Sequence, residues 1–243
     1  MIERTLDIPT LDGATTTFIC HPERDGPHPA IIFYMDAPAI REELRDMARR
    51  LATVGYYVML PNLYYRAGVM ELDWKPNDPT VRDRMMALMG GLTISMIMED
   101  TDALMAFAAD DPAASPGVMG AVGYCMSGQF AINAAARHPD RFAAAASIYG
   151  VKLVTDAHDS PHLVAPKATA EIYVACAETD SWAPLEMVEQ LANALRSGGV
   201  DAEVEIYPGV EHGFAFPGRP AYNKAAAETH WERLFALFRR RLG

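Results

Sequence analysis

The sequence predicts an α/β fold in which a mostly parallel central sheet is covered by helices on both faces. Three observations predict it: short apolar runs recur along the chain, they alternate with segments of helical apolar spacing, and no repeat or low-complexity linker interrupts them. Strands that are apolar at every position are typical of parallel sheets, because both of their faces are buried. No change of composition marks a boundary, so we predict one domain over residues 1–243.

The elements of the first half begin with a β-hairpin in the first twenty residues, turned at Asp12-Gly13, a dipeptide typical of two-residue turns. The next apolar run predicts a buried strand, and the helix after it has apolar residues every three or four positions and a glycine at its end. In order, these elements are a strand at Ala30–Met35, a helix at Ile40–Val54, a strand at Tyr56–Leu60 and one long helical region from Thr80 to Ala109.

The second half continues the alternation of strand and helix. Ala202–Tyr207 alternates apolar and acidic residues, as expected of an edge strand. In the last helix we expect one apolar face made of Trp231, Leu234, Phe235 and Phe238, with His230 on the solvated face. The elements are a strand at Val118–Tyr124, a helix at Met126–Arg137, strands at Ala143–Tyr149 and Glu171–Cys176, a helix from Pro184 to Gly198, the edge strand, and a helix at Ala221–Leu242.

Composition excludes several classes of protein. The 243 residues carry 21 Lys and Arg against 32 Asp and Glu, a net charge of −11, which disfavours nucleic acid as a partner. Three cysteines are too few for a disulfide framework and indicate a reducing compartment. The uncharged run from Ala113 to Ala136 contains Pro116 and four glycines, so it predicts a buried strand and helix and not a membrane span. The N-terminus does not read as a signal peptide, and we expect a soluble cytoplasmic protein.

The densest chemical motif is Gly123-Tyr124-Cys125-Met126-Ser127-Gly128, at the predicted junction of a strand and a helix. It has the form of a nucleophile elbow, in which a strained turn exposes the nucleophile at a helix N-terminus, except that Ser127 replaces the second glycine. We expect Cys125 to be the nucleophile, its thiol favoured as thiolate by the helix dipole, and the Met126 amide to face the oxyanion. Ser127 is the weaker candidate nucleophile, because the residues two positions before and after it are Cys125 and Gln129, and the motif requires small residues there. The alternative is a structural cysteine buried in a glycine-rich turn.

A thiol nucleophile needs a base and a carboxylate that orients it. His212 follows the last predicted strand, and Asp180 follows the strand before it, so both belong to the carboxyl end of the sheet. The order nucleophile, acid, base is that of α/β-hydrolases. Glu178 is the second candidate acid. In this fold the loop after the first buried strand supplies the second oxyanion amide, which is the amide of Ala37 here. Asp36 directly precedes Ala37, so it either lies close to the thiol or is an ordinary loop carboxylate.

These residues together resemble the dienelactone hydrolase family, a cysteine-nucleophile branch of the α/β-hydrolase fold. Supporting marks along the chain are Tyr34-Met35-Asp36, Gly55-Tyr56, Pro61-Asn62-Leu63-Tyr64, Tyr149-Gly150-Val151 and His212-Gly213-Phe214. The resemblance implies a Cys125–His212–Asp180 triad that cleaves a lactone or carboxylic ester through a thioester. It also implies a carboxylate that modulates the resting thiol, where Asp36 stands for the family's usual glutamate.

The resemblance bears on the substrate as well. Dienelactone-cleaving members hold the substrate carboxylate with arginines, one of them four residues after the catalytic histidine, and this position is Phe216 here. Either Arg82 or Arg84 remains as a second partner. Without an arginine at position 216, one charge-assisted contact to a substrate carboxylate is missing. We therefore hypothesise a substrate that is less anionic than a dienelactone. We expect a small-molecule ester or lactone as substrate, and a monomer or weak homo-oligomer.

Other functions fit the sequence less well. A cysteine amidotransferase usually places its acid close behind the histidine, where this chain has Phe214. A catalytically silent binding protein on a hydrolase scaffold is the other alternative. His158 and His162 lie in a loop with a proline and predict no metal site, and we expect no cofactor. The methionines between Met85 and Met98 predict buried core, or less often an adaptable pocket.

Overall fold

The elements follow one another in the predicted order in a computed structural model that describes residues 1–73 and 78–243. They belong to two compact units, residues 1–116 and residues 117–243. The single domain over residues 1–243 therefore stays a prediction.

The strands of the first unit start with the predicted hairpin. Thr10 pairs with Gly13, which confirms the hairpin, but its two-residue loop is Leu11-Asp12, one residue before the predicted turn at Asp12-Gly13. The strand order is β1-β2-β4-β3, with β1 antiparallel to β2, β2 antiparallel to β4, and β3 parallel to β4. The bounds are β1 Ile2–Thr10, β2 Gly13–His21, β3 Ala30–Tyr34 and β4 Tyr57–Pro61. Every residue of β3 and β4 is buried, in agreement with their continuous apolar sequences.

The helices of the first unit are α1 Glu42–Ala52, a short 3₁₀ turn at Tyr65–Ala67, α2 Pro79–Gly90 and α3 Ile94–Asp110. The single long helix predicted from Thr80 to Ala109 is wrong. It is interrupted after Gly90-Gly91, and the hydroxyl of Thr93 accepts a hydrogen bond from the Met96 amide, which starts α3. Two glycines weaken a helix, and an N-cap threonine satisfies the backbone donors of a new one.

The methionines of α2 are not core residues. No residue of this helix is buried, and Met85, Met86 and Met89 are half-exposed, whereas Met98 of α3 is buried. The prediction of a buried stripe therefore holds for Met98 and is wrong for α2. Helical spacing of apolar residues shows which of them share a face, but it does not show whether that face is covered.

The second unit holds four parallel strands in the order β5-β6-β7-β8. Their bounds are β5 Met119–Tyr124, β6 Phe142–Ile148, β7 Glu171–Thr179 and β8 Ala202–Glu211. The first two are almost entirely buried, and β7 is buried from Ile172 to Ala177. The last, β8, stands at the end of the order and exposes Ile206, which confirms the predicted edge strand.

Helices lie on both faces of the strands of this unit. They are α4 Gly128–Arg137, α5 Pro161–Val164, α6 Leu185–Ser197 and α7 Lys224–Leu242. Gly120 and Gly123 of β5 face opposite sides, because side chains alternate along a strand. A Cβ at Gly120 would meet Phe238 of α7, and one at Gly123 would meet the backbone at the start of α4. The two helices therefore cover opposite faces of β5.

No helix in the described parts of the chain is both long enough and apolar enough to cross a membrane. The uncharged run from Ala113 to Ala136 supplies β5 and most of α4, both of them core elements of the second unit.

Candidate active site

Cys125 lies at the turn from β5 into α4, where the motif places it. Its φ is +54°, in the left-handed region that is unfavourable for a residue with a side chain. A 3₁₀ turn at Cys125–Ser127 follows, and α4 begins at Gly128. Cys125 is half-buried, whereas Ser127 is fully buried. Of the two rival nucleophiles, only the cysteine is accessible.

Glycines on both sides of Cys125 permit close approach of the backbone. A Cβ at Gly123 would lie 2.1 Å from the carbonyl oxygen of Ser127, and one at Gly128 would lie 2.6 Å from the Cα of Gly150. The second tight contact is thus made at Gly128, one residue later than the motif expects, which explains why Ser127 is tolerated. The Val151 amide donates to the carbonyl of Cys125 at 3.0 Å and ties this turn to the loop after β6.

Asp180 follows β7 directly, and its carboxylate is held in one orientation. Oδ1 accepts hydrogen bonds from the amides of Trp182 at 2.9 Å and Ala183 at 3.0 Å. Oδ2 is left to accept from Nδ1 of His212 at 2.7 Å. The side chain of Asp180 is completely buried, so this bond is shielded from solvent.

The register of two strands brings acid and histidine together. Thr179 of β7 pairs with Glu211 of β8, so Asp180 and His212 are each the residue after a paired position. A register irregularity between Ala177 and Thr179 precedes this pair. Glu178, the other candidate acid, lies within β7, and its Oε2 accepts from the Gly209 amide at 2.7 Å. Its carboxylate therefore holds the end of β8, the strand that leads to the histidine.

The imidazole of His212 contacts both Asp180 and Cys125. Burial alone would lower the pKa of His212, but the hydrogen bonds with Asp180 and Cys125 outweigh it and raise the pKa to about 10. His212 is therefore protonated at neutral pH, with a carboxylate on one nitrogen and a sulfur on its other side. Such an imidazolium stabilises an adjacent thiolate.

The other two cysteines lie in different surroundings. Cys20 and Cys176 are buried in β2 and β7, and burial raises the pKa of each thiol to about 12. Both are protonated at neutral pH and are core residues.

Comparison with known proteins identifies the family. The model of the "Dienelactone hydrolase family" matches residues 15–242 of the chain. The chain belongs to this family. The "Putative carboxymethylenebutenolidase" of Escherichia coli strain K12 is 31% identical to it over 225 residues, which cover 89% of this chain and 79% of that protein. The protein of the same name from Methylorubrum extorquens is 28% identical over 98% of this chain and 81% of its own length.

A solved structure agrees with the family assignment. The crystal structure of the "Putative Dienelactone Hydrolase" of Klebsiella pneumoniae has a TM-score of 0.86 and 26% identity, and the match covers 98% of both chains. This confirms the predicted α/β-hydrolase fold, and membership of the family makes the protein a hydrolase. Membership of this family therefore disfavours the two alternatives, a cysteine amidotransferase and a catalytically silent binding protein.

Two further candidate site residues, Asp36 and Ala37, belong to the first unit. The carboxylate of Asp36 is completely buried and accepts two hydrogen bonds from Arg41, at 2.6 and 3.3 Å. Ala37 is buried as well, and its carbonyl accepts from the hydroxyl of Tyr64 at 2.9 Å. Asp36 therefore forms a buried ion pair. Its modulation of the thiol and the role of Ala37 in the oxyanion hole stay predictions.

Position 216, where the resemblance leads us to expect an arginine in dienelactone-cleaving members, is a phenylalanine in this hydrolase. Phe216 is buried and contacts the rings of Tyr124 at 5.3 Å and Tyr149 at 6.0 Å. The guanidinium of Arg219 lies 5.6 Å from the centre of the Phe216 ring. A cation is thus present beside this position, although the side chain at the position itself is apolar. Arg82 and Arg84, the other candidates, are exposed on α2.

An aromatic cluster lies beside His212 and was not predicted from the sequence. Tyr149 contacts His212 edge-on at 5.0 Å and Phe214 at 5.2 Å. His230, predicted on the solvated face of α7, is completely buried and accepts a hydrogen bond from Tyr124, so that prediction is wrong. The spacing of residues along α7 indicated this burial, because residues four positions apart share one face of a helix and His230 is four residues before the buried Leu234.

Metal ligands do not gather anywhere in residues 1–73 or 78–243: no three His, Cys, Asp or Glu side chains form a group suited to an ion. His162, half of the pair noted in the sequence, has its Nδ1 2.8 Å from the hydroxyl of Ser160. The expectation that the protein uses no metal or cofactor stays a prediction.

Proposed function

We propose that the protein hydrolyses carboxylic esters or lactones through a Cys125–His212–Asp180 triad and a thioester acyl-enzyme. The observation that carries the proposal is the chain of contacts from the buried Asp180 to His212 and on to Cys125, which sits in a left-handed turn at the start of α4. Residue order, geometry and the raised pKa of His212 all favour the same assignment of nucleophile, base and acid.

In the first half-reaction, the thiolate sulfur of Cys125 bonds to the acyl carbon of the substrate. The Met126 amide, directly after the nucleophile, stabilises the oxyanion that forms. The bond from the acyl carbon to the alcohol oxygen then breaks, and His212 gives its proton to that oxygen. In a lactone the alcohol remains attached to the acyl group. The enzyme is left as a Cys125 thioester with a neutral His212.

In the second half-reaction, water loses a proton to Nε2 of His212 and bonds to the thioester carbon. The carbon–sulfur bond breaks, the carboxylic acid leaves, and Cys125 returns to thiolate beside a protonated His212. Asp180 keeps Nδ1 of the imidazole protonated throughout, so that Nε2 always faces the reaction. Because the backbone amides of residues 182 and 183 hold the carboxylate, this orientation does not change during the cycle.

The test compares two substitutions in the same turn. We expect Cys125→Ala to lower kcat/KM for p-nitrophenyl acetate at least about a thousandfold, because no other nucleophile replaces the sulfur. Ser127→Ala is the control and keeps the activity. Acid quenching during turnover, followed by intact-protein mass measurement, is expected to show one added acyl group in the wild type and none in Cys125→Ala. Retained activity in Cys125→Ala, or its loss in Ser127→Ala, would contradict the assignment.

The charge of the substrate is a separate part of the proposal. Phe216 offers no charge-assisted contact to a substrate carboxylate, so we propose a substrate that is less anionic than a dienelactone. Neutral short-chain esters and lactones are then expected to have higher kcat/KM than dienelactone in one panel of substrates. Equal or faster hydrolysis of dienelactone would show that another cation, such as Arg219, takes the missing role.

A further inference from the structure

His230 is a buried titratable side chain that the proposed reaction does not use. It lies on α7, is completely buried, and has a polar partner on each ring nitrogen. Nδ1 is hydrogen-bonded to the carbonyl of Ala227, and Nε2 lies 3.0 Å from the hydroxyl of Tyr124. A carbonyl only accepts, so Nδ1 carries the proton and Nε2 of the neutral ring accepts from Tyr124.

Tyr124 connects His230 to the nucleophile. It is the last residue of β5 and directly precedes Cys125, whose φ of +54° must be maintained by its surroundings. The Tyr124 ring is buried, and it contacts the rings of Tyr149 at 5.9 Å and Phe216 at 5.3 Å. Its hydroxyl bond to His230 therefore anchors the far end of the side chain next to the strained turn.

The same histidine is connected to the catalytic base. Its ring contacts Phe214 edge-on at 6.2 Å, and Phe214 is two residues after His212. Phe214 and His212 both contact the ring of Tyr149. Four rings thus form a closed series of contacts, those of His230, Tyr124, Tyr149 and Phe214. Tyr124 directly precedes the nucleophile Cys125, and Phe214 is two residues after the base His212.

We propose that His230 is a positioning residue: its hydrogen bond to Tyr124 holds the Cys125 turn and the His212 loop in the relative geometry that the reaction needs. The inference rests on the proposed function of the triad. The bond matters more than the volume of the ring. In a dry core, a Tyr124 hydroxyl without its acceptor has to turn or shift to find another, and this moves the end of β5.

Four variants separate the bond from packing. His230→Leu removes the acceptor, and we expect kcat for p-nitrophenyl acetate to fall about 10- to 100-fold with little change in KM, the effect of misplaced reacting groups. His230→Gln keeps an acceptor near the position of Nε2 and is expected to restore most of the rate. Tyr124→Phe combined with His230→Leu removes both partners and is expected to be faster than His230→Leu alone. Phe238→Leu, a core change elsewhere on α7, is the control for loss of stability.

A second readout does not depend on turnover. The rate of Cys125 alkylation by iodoacetamide, followed by mass spectrometry across pH, is expected to fall in His230→Leu and to recover in His230→Gln. If His230→Leu resembles Phe238→Leu in kcat and alkylation, or if the double variant is slower than His230→Leu, the inference is wrong. Failure of the wild type to hydrolyse any ester or lactone would instead refute the proposed function, and the alkylation rates would still test the positioning of Cys125.

Discussion

Gly123 is the position where one added methyl group tests the geometry of the elbow most directly. In Gly123→Ala the new Cβ would lie 2.1 Å from the carbonyl oxygen of Ser127, 2.5 Å from its carbonyl carbon and 3.0 Å from the Gly128 nitrogen. All three atoms are backbone, so no side chain can rotate out of the way. The turn that carries Cys125 has to move relative to β5.

The size of that movement follows from the distances. A tolerable contact of about 3.0 to 3.4 Å requires the 2.1 Å separation to open by about 1 Å. A displacement of about 1 Å at a reacting group lowers the rate by about 100-fold, and overpacking of this kind costs about 1–3 kcal/mol of stability. For a protein of this size, each kcal/mol lowers Tm by about 2–4 °C.

Gly120→Ala in the same strand is the matched control. Its Cβ would lie 2.8 Å from a ring carbon of Phe238 and 3.1 Å from a methyl carbon of Leu242, both side-chain atoms of α7 that can move apart. We expect both variants to lose stability, measured as Tm, and only Gly123→Ala to lose about 100-fold in kcat. A Gly123→Ala enzyme with the kcat of Gly120→Ala would refute the argument that backbone contact at this glycine positions the nucleophile.

Two further predictions concern stability. Arg41→Leu removes the cation beside the completely buried Asp36, and we expect a loss of about 3–5 kcal/mol in urea unfolding. The control is Arg45→Leu on α1, whose partners Glu42 and Glu71 are exposed; it is expected to lose no more than about 1 kcal/mol, and equal losses would contradict the reasoning. The second prediction uses the raised pKa of His212. A group whose pKa is raised on folding contributes its full stabilisation of the folded state at pH values below its unfolded pKa, which is 6.5 for this histidine. The contribution decreases as the pH rises and is lost above the folded-state pKa of about 10. The stability of the wild type relative to His212→Gln, from urea unfolding, is expected to decrease through this range, and a constant difference would contradict the ion pair.

Much of the fold and the main candidate residues could be predicted from local sequence. Continuous apolar runs identified β3, β4 and β5, and Asp12-Gly13 located the hairpin turn to within one residue, because these features depend on the burial and turn chemistry of a few adjacent residues. The elbow was recognisable for the same reason. The break between α2 and α3 was missed although Gly90-Gly91 and Thr93 are local signals, because the apolar pattern continues across them.

Other features depend on contacts between distant residues. Helical spacing places His230 on the same face as Leu234, but it does not reveal the hydrogen-bond partner of the imidazole, because Tyr124 is 106 residues away. The methionines of α2 have the composition of a core, and only the packed structure leaves their face uncovered. The partner of Asp36 is five residues away, but which of the nearby arginines folds back onto it depends on the course of the loop.

By itself, the sequence determined the α/β class, the order of the strands and most of the helices, and a short set of candidate residues for acyl transfer. These properties follow from local patterns of burial, turns and residue chemistry. Only the tertiary structure decided that Thr179 pairs with Glu211, so that Asp180 reaches His212, and that Cys125 occupies a left-handed turn with the imidazole beside it. Strand register and backbone strain arise from packing of the whole sheet and its helices, and the pKa of His212 depends on the burial and neighbours that this packing creates.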